Sequence, residues 1–123
     1  VVEIGKLIHN KKEVLPSMRV ARNTLQLANG LMFTGKKKVN QGICLIMPVK
    51  EDVKFGASVT MFFCFSTMDI LFVNTKFKVV DKVTLKTWVP NYTPKEACKY
   101  VIESSKGKFK DIKIGDKVIL ELN

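Results

Sequence analysis

Val59-Thr60-Met61-Phe62-Phe63-Cys64-Phe65-Ser66-Thr67-Met68-Asp69-Ile70-Leu71-Phe72-Val73 is the stretch on which the architecture turns. Residues 60–66 are apolar at odd and even positions alike, and residues 68–73 repeat the pattern at once, which predicts two short strands covered on both faces. Asn74-Thr75-Lys76 offers a turn, and Phe77-Lys78-Val79-Val80-Asp81-Lys82-Val83 then alternates apolar and polar, as a half-solvated strand returning beside Ile70 to Val73 does. Strands buried on both sides need two packed layers, so the rest of the chain is expected to wrap around this centre.

Working outward, Gly42-Ile43-Cys44-Leu45-Ile46-Met47 is another continuously apolar strand, ended by Pro48. Residues 97–103 alternate, with Tyr100 and Ile102 on one face and Val101 on the other, and Val118-Ile119-Leu120-Glu121-Leu122 closes the chain after a turn at Ile114-Gly115-Asp116-Lys117. Upstream, residues 2–8 and Glu13-Val14-Leu15 flank Asn10-Lys11-Lys12 as a first hairpin, Pro16-Ser17 punctuates it, and Met18-Arg19-Val20-Ala21 is a separate strand. Asn23 or Thr24 is placed to cap a short helix through residues 25–28 that stops at Asn29-Gly30, while the Gly-flanked, Lys-rich residues 35–42 read as a surface loop. About seven short strands, one or two short helices and no strand–helix–strand alternation predict a mainly β protein, a small antiparallel β-sandwich or barrel.

The 123 residues fit one domain, 1–123, large enough to need no disulfide or metal staple. Cys44, Cys64 and Cys98 are odd in number and widely spaced, which reads as buried free thiols in a reducing compartment. No apolar run approaches a membrane span and no charged, apolar leader opens the sequence, which points to a soluble, cytoplasmic protein. The net charge of +10 is carried by nineteen Lys and two Arg. Such an excess favours weak, salt-sensitive polyanion binding, with Lys36, Lys37, Lys38, Lys106, Lys108 and Lys110 as the candidate contacts. Base reading is poorly served, because the guanidinium that forks onto guanine edges is available only at Arg19 and Arg22.

Catalytic and metal signatures are not in evidence, and no cofactor is implied. The single histidine, His9, lies in a Lys-rich segment with no nucleophile placed beside it, and the glycines are not spaced as a phosphate-cradling loop. Asp69 is the most conspicuous polar group in an apolar setting: either it caps a backbone turn, or it is an acid–base group with Asp81 on the returning strand as partner. The loop from Trp88 to Pro94 combines two prolines with the amphipathic rings of Trp88 and Tyr92 and is the most site-like in the chain.

Taken in order, several pieces resemble the uncharacterised family catalogued as domain of unknown function 192, in its archaeal branch. They are Gly30-Leu31-Met32-Phe33 after a strand and short helix, Met61-Phe62-Phe63, Asp69-Ile70-Leu71-Phe72 with its hairpin, the loop near Trp88, Lys99-Tyr100-Val101-Ile102-Glu103, and Gly115-Asp116-Lys117-Val118. The resemblance covers residues from about 18 to 120 and implies a jelly-roll-like β domain without an established activity. The chain departs from the family's usual pattern at Asn29, where an Arg is common, and at Thr60-Met61-Phe62-Phe63-Cys64, where a Trp-Met-Lys-Asn-Thr run is common. The functional expectation is a non-catalytic binding module for a small ligand or protein partner, its site built from Gly30, Leu31, Met32, Asp69, Trp88 and Tyr92. A basic nucleic-acid surface and an enzyme using Asp69 are the alternatives, and a homodimer through a sheet edge is compatible with all three.

Overall fold

Asn10 and Lys11 set the first hairpin: both have left-handed backbones, φ 49° and 65°, in a two-residue turn whose twist matches that of the strands it joins. The turn links β1 (Glu3–His9) to β2 (Lys12–Ala21). The structure, a computed structural model, describes residues 3–22, 36–59, 66–88 and 91–122. Lysine is strained in the left-handed region and glycine is not, so Lys11→Gly is expected to raise stability by about 0.5–1 kcal/mol. A urea midpoint that does not rise would contradict this reading of the turn.

Pro16 and Ser17, expected to divide two strands, instead lie inside β2. Gly5 pairs with Met18 and Leu7 with Leu15, so Lys6 faces two residues of β2 in a bulge. The N–H that Pro16 lacks falls where the ladder is already interrupted. A second correction concerns residues 35–42: Lys36–Gln41 is a short helix, α1, rather than a loop. Gly42, at φ 84°, ends it by donating its N–H to the carbonyls of Lys38 and Val39, and the buried Val39 docks it on the sheet. The left-handed backbone strains any other residue at Gly42, and a Cβ there would also come within 2.8 Å of the Leu15 side chain, which would have to shift.

The remaining elements are β3 (Ile43–Ile46), a 3₁₀ turn (Phe55–Ala57), β4 (Met68–Val73), β5 (Val79–Leu85), β6 (Tyr100–Ser105) and β7 (Ile119–Leu122). They form one seven-stranded sheet in the order β5-β4-β6-β3-β2-β1-β7. The protein is mainly β with short helical pieces, as its sequence leads one to expect. The sheet is mixed, because β2 and β3 run parallel while the other ladders are antiparallel. A parallel neighbour needs a long crossover, and the chain from Arg22 to Gly42, including α1, supplies it.

Strand alternation sorts the core into two. Ile43, Leu45, Ile70, Phe72 and Val101 belong to one cluster, which we call outer, and Cys44, Ile46, Leu71, Val73 and Ile102 to the other, which we call inner. All six residues of β4 are buried, so the expectation that residues 68–73 form a strand covered on both faces holds. Residues 60–65, its proposed companion, lie outside the described residues. The inner cluster is also filled by Phe109, Ile112 and Val118, because the sheet curls until the chain entering β7 meets the β5 edge. There Lys78 bridges Lys117, and the Val79 N–H donates to the Asp116 carbonyl at 2.9 Å. The contact is confined to residues 77–79 against 115–118 and does not continue as a strand ladder, so the barrel is not closed.

Candidate functional site

The curl leaves a cleft of about 390 Å³ at one end of the inner core, between hairpin residues 9–16 and turn residues 107–112. Each wall is anchored. On the hairpin side, buried His9 sits with Nε2 2.9 Å from Asp116 Oδ2, an oxygen that also accepts the Lys113 N–H at 2.9 Å. That backbone N–H first, and His9 second, hold the Asp116 carboxyl below its ordinary range. On the turn side, Phe109 and Ile112 plug the inner core, and Lys82 Nζ donates to both of their carbonyl oxygens, at 2.6 and 2.7 Å. Lys82 pairs with Leu71 on an edge strand and so directs its chain inward, which also discourages edge-to-edge association.

Asp69 belongs to this same wall. It is buried at the start of β4, its Oδ1 accepting the Thr84 hydroxyl at 2.5 Å and its Oδ2 the Gly107 N–H at 2.8 Å. Of the two roles open to Asp69 in the sequence, the backbone-turn role is the one its hydrogen bonds make: it ties down the first residue of the cleft's turn. Asp81 is no partner for it. Asp81 pairs with Phe72 of the outer face, whereas Asp69 shares the alternation of Leu71 and the inner face.

Tyr92 is therefore separated from Asp69 by the sheet. Its hydroxyl donates to Asp81 Oδ2 at 2.7 Å and its ring lies 5.8 Å from that of Phe72 on the outer side. Burial, followed by the Asp81 carboxylate, pushes the Tyr92 phenol up to about 12. Asp81 Oδ2 also accepts the Lys95 N–H at 3.0 Å, so it fixes the loop beyond β5. Trp88 is half exposed, with a left-handed backbone at φ 66°. Gly30, Leu31 and Met32 lie outside the described residues.

The lysines expected to meet a polyanion fall on neighbouring elements. Lys108 and Lys110 line the cleft, alternating with buried Phe109, and Lys106 starts the same turn. Lys37 and Lys38 are exposed on α1, whose end is fastened to β6 where Ser104 Oγ donates to the carbonyls of Val39 and Asn40 at 2.9 and 3.2 Å. Lys36 opens that helix. Sequence reasoning missed His9, Lys12 and the hairpin wall, which stand about a hundred residues from the turn they face. The alternation of Lys108, Phe109 and Lys110 was the available signal that this turn is pinned to a core.

Two other groups stand apart. Cys44 and Cys98 are free and buried, and burial pushes each thiol up to about 12, which keeps it protonated and unreactive at neutral pH. Glu103, 7% exposed in the middle of the sheet, is pushed up to about 7 by burial. Among the described residues no three of His, Cys, Asp and Glu converge as a metal site, and no helix is long and apolar enough to cross a membrane.

A curled single sheet with a pinned cleft at one end of its inner core defines a small β-rich domain of the kind that presents loops and turns from a rigid frame. The chain belongs to the family described as uncharacterized ACR, domain of unknown function 192, whose model matches residues 6–120. It is 36% identical over 103 residues to the UPF0127 protein PH1112 of Pyrococcus horikoshii, covering 82% of this chain and 84% of that one. It is 34% identical over 119 residues to the UPF0127 protein PYRAB11210 of Pyrococcus abyssi, covering 94% and 97%. These relatives are archaeal. Among solved structures, it is similar to a candidate transcription regulator from Sinorhizobium meliloti, with a TM-score of 0.75 at 17% identity over 99% of this chain and 94% of that one. A protein of unknown function from Novosphingobium aromaticivorans matches with a TM-score of 0.70 at 19% identity, over 96% and 84%. At such identities the likeness is one of fold.

Proposed function

We propose that this protein is a non-catalytic binding domain that takes a small ligand in the cleft between residues 9–16 and 107–112. The observation that carries the reading is that both walls are held in place before any ligand arrives: one by the His9–Asp116 contact, the other by Asp69, Lys82 and the buried Phe109 and Ile112. A preformed concavity of this size is what small-molecule sites use, since binding then spends little free energy on ordering loops. A binding role is favoured over an enzymatic one because the carboxylates that stand out in the sequence are already engaged. Asp69 has both oxygens hydrogen-bonded, Asp81 holds a tyrosine and two backbone N–H groups, and the two described thiols stay protonated.

Amide resonances of residues 9–16 and 107–112 are expected to shift together when the full chain is screened against a library of small metabolites. A library that moves none of them, or moves only amides near Trp88 and Tyr92, would place the site elsewhere.

A further inference from the structure

Building on that cleft, we propose that its ligand is recognised through clustered phosphate groups. The cleft is locally rich in positive charge. Lys12, Lys108 and Lys110 are exposed at the cleft, and among the described residues none has a carboxylate within 4.0 Å. The acids beside them are mostly spoken for: Glu13 is bound by Lys6 at 2.8 Å, and Asp116 lies against His9 at 2.9 Å. Three ammonium groups thus face one remaining lining carboxylate, that of Asp111. Like charges that outnumber the carboxylates beside them repel one another, and a multivalent anion relieves that repulsion.

The three lysines come from two separately anchored elements, Lys12 from the hairpin and Lys108 and Lys110 from the turn, so their charges reach one ligand from opposite sides. A flexible ammonium is a point charge suited to phosphate oxygens in varied orientations, and among the described residues the cleft's cationic lining is lysine with no arginine. His9, Val14, Pro16 and Ile112 also line the space. Among the described residues no Phe, Tyr or Trp does, so those residues offer a nucleobase no ring to stack on, and recognition falls on the phosphates. The cleft's size suits a compact oligophosphate. A phosphodiester chain is the other source of the same chemistry, and it would run on past Lys106 towards Lys37 and Lys38 of α1.

Calorimetric titration at low salt with inorganic tripolyphosphate, mapped by amide shifts, tests this on the full chain. Binding should move residues 9–16 and 107–112, weaken as salt rises, and fall roughly tenfold or more in a Lys108→Ala/Lys110→Ala variant. These side chains are exposed, so an unchanged melting temperature will confirm that the variant is folded. If a single-stranded oligonucleotide binds instead, and Lys37→Ala/Lys38→Ala weakens it as much as the cleft variant does, the phosphate chemistry stands and its source is nucleic acid. If the cleft amides respond to neutral or carboxylate compounds but to neither phosphate probe, the phosphate assignment is overturned while the cleft survives. If they respond to nothing, both fall.

Discussion

Phe72→Ala is expected to lower the stability of this protein by about 3–5 kcal/mol, enough to unfold many domains of its size. Phe72 is fully buried at the centre of β4, paired with Asp81 on one side and Val101 on the other. Its ring fills the outer core and supports Tyr92, whose hydroxyl is in turn committed to Asp81. Truncation leaves a cavity that cannot collapse, because neighbouring backbone is fixed by ladders on both edges of the strand. Urea unfolding should show a lower midpoint at an unchanged slope. A loss under about 1 kcal/mol would mean that the site can relax and that β4 is not enclosed as described.

The second large effect concerns Glu103. Glu103 pairs across the sheet with Ile43 and Ile70 of the outer core, and burial moves its carboxyl from 4.5 to about 7. Below 4.5 folded and unfolded chains both hold the proton; between 4.5 and 7 the folded chain holds it and the unfolded chain releases it; above 7 both are ionised. The native state therefore binds more protons inside that window, and unfolding free energy falls as pH rises through it. From the size of the shift, the loss approaches about 3 kcal/mol between the two limits. Glu103→Gln keeps the shape and removes the charge. The stability difference between the variant and the parent should thus favour the variant increasingly from pH 4.5 to pH 7 and level off beyond. A difference that is flat with pH would show that the carboxyl is solvated in the folded protein.

Much of the fold was legible because it rests on local alternation. The run from Met68 to Val73, the turn at Asn74 and the return through Val79 to Leu85 are set by which side chains are apolar and where a turn residue stands. Asn74 shows the mechanism: its side-chain oxygen accepts the N–H groups of Lys76 and Lys78, both at 3.0 Å. Where local signals conflicted with packing, the sequence misled. Pro16 looked like a break, but a bulge absorbs it; residues 36–41 looked like a loop, but one buried valine and a left-handed glycine make them a helix.

The candidate site was less legible for a geometric reason. Alternation assigns residues to faces only once the strands are known, and two residues that both look unusual can end on opposite sides of a sheet. Asp69 and Tyr92 do so, which divides the pocket the sequence had drawn around them. The cleft that replaces it joins His9 and Lys12 to a turn near residue 110, a separation that no local pattern spans.

Taken by itself, the sequence determined that this chain is mainly β, that its centre is buried on both faces and that its surface is rich in lysine, because apolar periodicity and charge are properties of neighbouring residues. Only the tertiary structure decided that β2 and β3 run parallel, that Asp69 secures a turn, and that three lysines from distant segments share one cleft. Those facts follow from how a twisted sheet curls and which of its edges meet, and that is settled by the packing of the whole chain.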